Sequence, residues 1–215
     1  MPSSQKLEAL LDEVKAMGIS DGRVLSALRE VRRELFVPQE VVGEAYANYP
    51  LPIGHGQTIS QPYTVAFMLE QLELAPGQKV LEVGAGSGWN AALLGNLVAP
   101  KGRVVATEII SELALTAQEN VRRAGLSNVE VVCADGSLGY RKRGPYDRII
   151  VTAACPEIPP PLIEQLNDKG VLIAPVGGSF FGQEMVKLRK RGSSVERSSL
   201  GMFVFVPLRG RHGTA

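Results

Sequence analysis

The chain has 215 residues, 45% apolar and 21% charged, enough to bury a core within one folded domain. Its 23 Lys and Arg nearly balance 22 Asp and Glu, so no overall field draws in a polyanion and no nucleic-acid partner is expected. Two histidines far apart, His55 and His212, and two cysteines without CxxC spacing argue against a metal site and a disulfide framework.

The N-terminus, MPSSQKLEALLDEVK, lacks the apolar centre of a leader, and no run approaches a membrane span. A cytoplasmic protein, monomeric and without a membrane partner, is therefore expected. Leu7, Leu10, Leu11 and Val14 recur at helical spacing behind Ser3 and Ser4, which can cap. Val24, Leu25, Leu28 and Val31 mark a second helix after the Gly18–Gly22 break. Residues 36–62 read as irregular, and GHGQTISQP (54–62) fits neither helix nor strand. Pro62 suits the first turn of a helix running through Val65, Met68, Leu69 and Leu72.

From Lys79 the texture changes. VLEV (80–83), RVVATE (103–108), VEVVC (129–133), RIIVT (148–152) and VLIAPV (171–176) read as strands, with helices near 89–99, 112–124 and 159–167. This alternation predicts an α/β fold, a doubly wound parallel sheet with helices on both faces. Unbroken apolar strands fit burial on both sides. MVKLRKRG and FVFVPL then predict an antiparallel edge at the C-terminus. Lys187–Arg191 is the one basic run, and it reads as a solvated strand edge. Cys133 and Cys155 lie in apolar sequence and are expected to be small core residues.

The sharpest motif is Glu82-Val83-Gly84-Ala85-Gly86-Ser87-Gly88, between the first strand of the sheet and a helix. Glycines there let the backbone turn and come close to a ligand. Glu108 follows Gly88 by 20 residues and closes the next strand, where a carboxylate can take both hydroxyls of a ribose. Gly86 to Ala91 also satisfies the dinucleotide form GxGxx[GA], so an NAD-dependent oxidoreductase remains an alternative. Glu82 tilts the balance, because a carboxylate ahead of the glycines repels a pyrophosphate and suits a cation. Asp135-Gly136, ending the third strand, places another carboxylate for an adenine amino group. S-Adenosylmethionine combines these three parts: cationic amino acid and sulfonium, ribose, adenine. The stretch after the fourth strand, Thr152-Ala153-Ala154-Cys155-Pro156, holds no amide to grip an exocyclic amine, which disfavours base methylation.

RELFVP (33–38), LPIGHGQTISQP (51–62), VLEVGAGSGWNAALL (80–94), ADG (134–136), PYDRIIVTAACPEIP (145–159) and FVPL (205–208) together resemble the protein-L-isoaspartate O-methyltransferase family, over nearly the whole chain. The resemblance implies a class I Rossmann-like methyltransferase domain. Residues 1–75 would supply N-terminal helices and a substrate loop, 76–177 the cofactor core and 178–215 the C-terminal strands. It implies methyl transfer from S-adenosylmethionine, leaving S-adenosylhomocysteine, to isoaspartyl-containing proteins and peptides, without a metal. Glu82, Gly84, Ala85, Gly86, Ser87, Gly88, Glu108, Asp135 and Gly136 would hold the cofactor. Ser60 falls on the family's active-site serine and would orient the acceptor carboxylate, and it is also placed to cap the helix at Pro62. Ile53, Gly56, Gln57, Thr58 and Ile59 would face the substrate. Val206, in an expected Val204–Leu208 strand, would pair with its backbone. Asn48, Trp89 and Ala134 depart from common family residues. A cofactor-binding module without turnover is the remaining alternative.

Overall fold

A computed structural model describes residues 3–178 and 182–214. Seven strands form one sheet: β3 (Lys79–Val83), β4 (Arg103–Glu108), β5 (Val129–Cys133), β6 (Tyr146–Val151), β7 (Leu166–Val176), β8 (Gln183–Arg191) and β9 (Ser194–Phe203). Their spatial order is β5-β4-β3-β6-β7-β8-β9. The first five pair in parallel, and β8 and β9 add antiparallel. Strand order therefore reverses beside β3, between β4 and β6. In an open α/β sheet the crevice at the carboxyl ends of such strands is where ligands bind.

Alternation across the pleat explains the unbroken apolar strands. Val80, Val104, Ala106, Ile150 and Ile173 join one buried cluster, and Leu81, Val105, Ile149 and Leu172 join the other. The first cluster also takes the inner faces of α1 (Ser3–Ala16), α2 (Gly22–Glu30), α3 (Pro62–Gln71), α4 (Trp89–Val98) and α5 (Ser111–Arg123). The second packs under α6 (Pro160–Glu164). Asp21 starts α2 by accepting from the Arg23 N–H at 2.8 Å. No described helix is long and apolar enough to cross a membrane.

Four sequence expectations change here. Residues 51–59 form a β-hairpin, β1 (Leu51–Gly54) with β2 (Gln57–Ile59), not an irregular loop. Its two-residue turn puts His55 and Gly56 at φ 53° and 70°, the positive pair that twists a tight hairpin correctly. The last helix ends at Glu164 rather than 167, because Leu166 already pairs with Tyr146 of β6. The final strand is the polar stretch Ser194–Phe203, not 203–208. Residues 204–208 leave the sheet and return over its carboxyl end, where Pro207 bridges Ala154. Cys133 is exposed at the end of β5, whereas Cys155 is buried, its thiol pushed up to about 11 by burial; both are free.

Candidate active site

The carboxyl ends of β3, β4 and β6 open into a cleft of about 880 Å³, open solvent at its mouth included. Glu82, Gly84, Ala85, Gly86, Ser87, Glu108 and Gly136 line it, as does the hairpin from Gln57 to Ser60. A second cleft opens beside it, bounded by Met17, Pro50, Gln61, Tyr63, Met202 and Val204. The two share Thr58, Ser60, Thr152, Phe205 and Val206 as a common wall.

The glycine turn is held by its neighbours. The Gly84 and Ala85 N–H groups both donate to the Thr107 carbonyl at 2.9 Å. The Thr152 hydroxyl donates to the Gly84 carbonyl at 2.6 Å and reaches the Val83 carbonyl at 3.0 Å. Gly84 has φ 98°, and a Cβ there would lie 2.6 Å from the Thr152 Oγ1. Only glycine meets both conditions.

Glu82 is completely buried. Its Oε1 accepts from Asn90 Nδ2 at 2.8 Å, while its Oε2 and the Asn90 Oδ1 have no partner among the described residues. Burial, reinforced by the Glu108 charge and opposed by the Asn90 hydrogen bond, pushes the Glu82 carboxyl up to about 8. An unpartnered acid and amide in a cleft wall fit an arriving ammonium group. Glu108 is positioned by backbone, Oε2 accepting from the Gly86 N–H at 2.9 Å and Oε1 from the Ile110 N–H at 3.0 Å. Each oxygen keeps a lone pair for a ribose hydroxyl. These features fit S-adenosylmethionine at its amino acid and ribose ends. No group of three or more His, Cys, Asp or Glu among the described residues could hold a metal ion.

Four expected site residues stand outside the cleft wall. Gly88 begins α4 pressed on α5, where a Cβ would meet the Ala117 carbonyl at 3.0 Å. Asp135 serves structure: Oδ1 accepts from the Ser137 N–H and hydroxyl at 2.9 and 2.7 Å, and Oδ2 from the Arg211 N–H at 2.8 Å. Burial opposes its ionisation, but these donors hold it below the usual carboxylate range. Its neighbour Gly136 lines the cleft, as does Arg209. Gly56 sits at the open hairpin tip, and Ile53 packs near Gly86, 3.4 Å from where a Cβ there would stand.

Val206 lines both clefts, but its carbonyl already accepts from the Ala154 N–H at 2.8 Å. That bond ties residues 204–208 to the segment after β6 and uses one lone pair of the carbonyl, leaving the other toward the clefts. Ser60 does not cap α3 either. The cap position is Gln61, and the Asn48 Oδ1 accepts from the Tyr63 N–H at 3.0 Å. The departure at Asn48 therefore anchors the hairpin's exit, and the half-buried Ser60 hydroxyl is left to the common wall. Sequence reasoning missed Thr152, Asn90 and Arg33. Arg33 carries no local signal, since it stands between the charged Arg32 and Glu34 ahead of the apolar LFVP.

A family model described as protein-L-isoaspartate(D-aspartate) O-methyltransferase matches residues 5–213. The chain belongs to this family. A protein-L-isoaspartate O-methyltransferase of Methanoculleus marisnigri is 50% identical over 213 residues, covering 99% of this chain and 95% of the relative. The second such enzyme of Archaeoglobus fulgidus is 46% identical, with 99% and 97% covered. Among solved structures, a protein-L-isoaspartate O-methyltransferase superposes with TM-score 0.89 at 31% identity, covering 96% of this chain and 67% of that one. A putative one from Plasmodium falciparum, in complex with S-adenosyl-L-homocysteine, gives 0.80 at 26% identity, with 94% and 97% covered. The isoaspartate methyltransferase match thus spans both the sheet and the hairpin.

Proposed function

We propose that the protein transfers a methyl group from S-adenosylmethionine to the free α-carboxylate of L-isoaspartyl residues in damaged proteins and peptides. The methyl ester then closes to a succinimide, whose hydrolysis returns some normal aspartate. The observation that carries this reading is the common wall: Ser60, Thr58 and Thr152 stand between the cleft of the glycine turn and a second, partly apolar cleft open to a polypeptide. When bound, S-adenosylmethionine supplies an electrophilic methyl group on a sulfonium.

The protein's own work is modest. A carboxylate with a pKa near ~4 is ionised at neutral pH, so no base need take a proton. Glu82 and Asn90 hold the ammonium end, Glu108 the ribose, and the Gly84–Ser87 turn the amino-acid chain. Ser60 donates a hydrogen bond to one acceptor oxygen, leaving the other for attack at about 3 Å. A neutral hydroxyl does this without over-stabilising the ground state, as a contacting Lys or Arg would. Apolar Met68 and Val65 on the cofactor side and Phe205 on the common wall exclude water. Positioning of this kind contributes roughly 7–11 kcal/mol. The near-zero net charge supports a protein substrate over a nucleic acid, and the same reading takes the enzyme as a cytoplasmic monomer.

The test is one assay with labelled S-adenosylmethionine and two peptides differing only in aspartyl against isoaspartyl. Only the isoaspartyl peptide should take label, and mild base should release it. Labelling of both, or a base-stable label, overturns the reading.

A further inference from the structure

Arg33 is 1% exposed, and no carboxylate among the described residues pairs with it. Its donors go to carbonyls instead. Nη1 reaches Ala45 at 2.8 Å and Ala47 at 3.3 Å; Nη2 reaches Ser60 at 3.0 Å, Tyr49 at 3.2 Å and Ile59 at 3.5 Å. Nε has no acceptor among the described residues. The guanidinium carbon lies 5.1 Å from the centre of the Trp89 ring, whose π face partners the charge. Burial pulls Arg33 down to about 10, which still leaves it charged at neutral pH.

Carbonyl dipoles satisfy hydrogen bonds but do not cancel a full charge. An uncompensated buried cation is costly, and here it sits in one place. Two of these acceptors border the second cleft, Tyr49 next to the lining Pro50 and Ser60 on the common wall, while Ile59 lines the first cleft. The positive centre therefore lies against the Ser60 backbone carbonyl, 3.0 Å from Nη2.

We propose that Arg33 is a positioning residue whose buried charge, held against the Ser60 backbone, makes the acceptor site select an ionised carboxylate over a neutral group. This rests on the carboxyl-methylation reading above. A buried cation attracts the anion without occupying the lone pair that must attack, so affinity and reactivity do not compete. It also clamps residues 45–60 to the Ser60 backbone, so the same residue shapes the cleft and charges it.

The experiment compares two peptides, one with the isoaspartyl α-carboxylate and one with the neutral α-carboxamide in its place, binding to the full-length protein saturated with S-adenosylhomocysteine. The wild type should favour the carboxylate by about tenfold or more. In Arg33→Gln that ratio should fall to within about threefold of unity, with S-adenosylhomocysteine affinity little changed. Equal weakening of both peptides, or an unchanged ratio, assigns Arg33 a structural role only and overturns the inference. Arg33→Lys keeps the charge and gives a second readout that does not depend on the first variant folding. A buried lysine loses its proton far more readily than arginine, so its ratio should decay between pH of about 6.5 and 9.5 while the wild-type ratio stays level. A level ratio in Arg33→Lys also overturns it. A wild type that methylates no isoaspartyl peptide would instead refute the functional reading, a result separate from these.

Discussion

The two clefts that meet at Ser60 are built in different ways. The cofactor side grows out of the sheet: the β3 turn is tied to β4 through Thr107 and to β6 through Thr152, and Glu108 is fixed by two backbone N–H groups. The acceptor side takes only the end of the edge strand β9 and the residue after β6 from the sheet. It is otherwise assembled from the hairpin, the start of α3 and the returning C-terminal segment, gathered by Arg33, Asn48 and one bridge at Ala154. A rigid scaffold suits a constant ligand, whereas short segments around one buried cation suit substrates that share only a carboxylate and an extended backbone.

If the two sides are separable, single changes should damage one and spare the other. The largest effect is expected at Ser60→Ala, which removes the one donor on the acceptor oxygen and should lower kcat about 10²-fold. S-Adenosylhomocysteine affinity, measured by titration calorimetry, should stay within about twofold; a matching loss would mean that the common wall belongs to the cofactor. Gly84→Ala attacks the other side, forcing a side chain into a positive-φ position against Thr152. It should cost about 2 kcal/mol in urea unfolding and weaken S-adenosylhomocysteine about tenfold or more.

Glu82 sharpens the comparison through pH. With its carboxyl pushed up to about 8, an arriving ammonium must displace a proton below that value. Cofactor affinity should therefore fall as pH drops below 8, by up to about tenfold per unit, and Glu82→Gln should remove that part of the slope. Stability without ligand has the opposite sign. The raised value means that the contribution of Glu82 is whole below its ordinary range near 4.5 and fades as pH rises through 8. Melting temperatures of wild type and Glu82→Gln across that window should converge at low pH and differ at high pH.

The smallest effect lies away from both clefts. Hydrogen bonds from Arg189 at 2.6 Å and Lys187 at 2.7 Å, working against partial burial, bring Glu73 down to about 2. Its side chain is 44% exposed, so solvent screening limits Glu73→Ala to about 0.5–1 kcal/mol. That contribution is present above the ordinary 4.5 and lost as pH falls through 2, and catalysis should be unaffected. The same pairing disposes of the basic run 187–191 as a free patch, since Lys190 also donates to the Ile163 and Leu166 carbonyls.

Legibility followed the source of each element's stability. Strands β3 to β6 were readable to within a few residues because continuous burial demands continuous apolar sequence. Strand β9 was missed because it is an edge whose residues are almost all exposed, so its pairing with β8 rests on backbone hydrogen bonds and the Gly192-Ser193 turn rather than on pattern. The hairpin at 51–59 hid for a similar reason: three paired positions and a bulge at Ile53 leave too little alternation to detect.

The sequence by itself determined the α/β class, the glycine turn, Glu82 and Glu108 as its acidic partners, and the family, because these depend on residue types at fixed local spacing. Tertiary structure alone decided which of them line the cleft. Gly88 turned to helix packing and Asp135 to the C-terminal segment, because partners from α5 and residues 209–212 arrive only when the chain is folded. It also decided the meaning of GHGQTISQP. Those residues form the rim and common wall of two clefts, and the charge against the Ser60 carbonyl comes from Arg33, 27 positions earlier. No local pattern encodes that distance, since what places the two together is the packing of α2, α3 and the hairpin against the sheet.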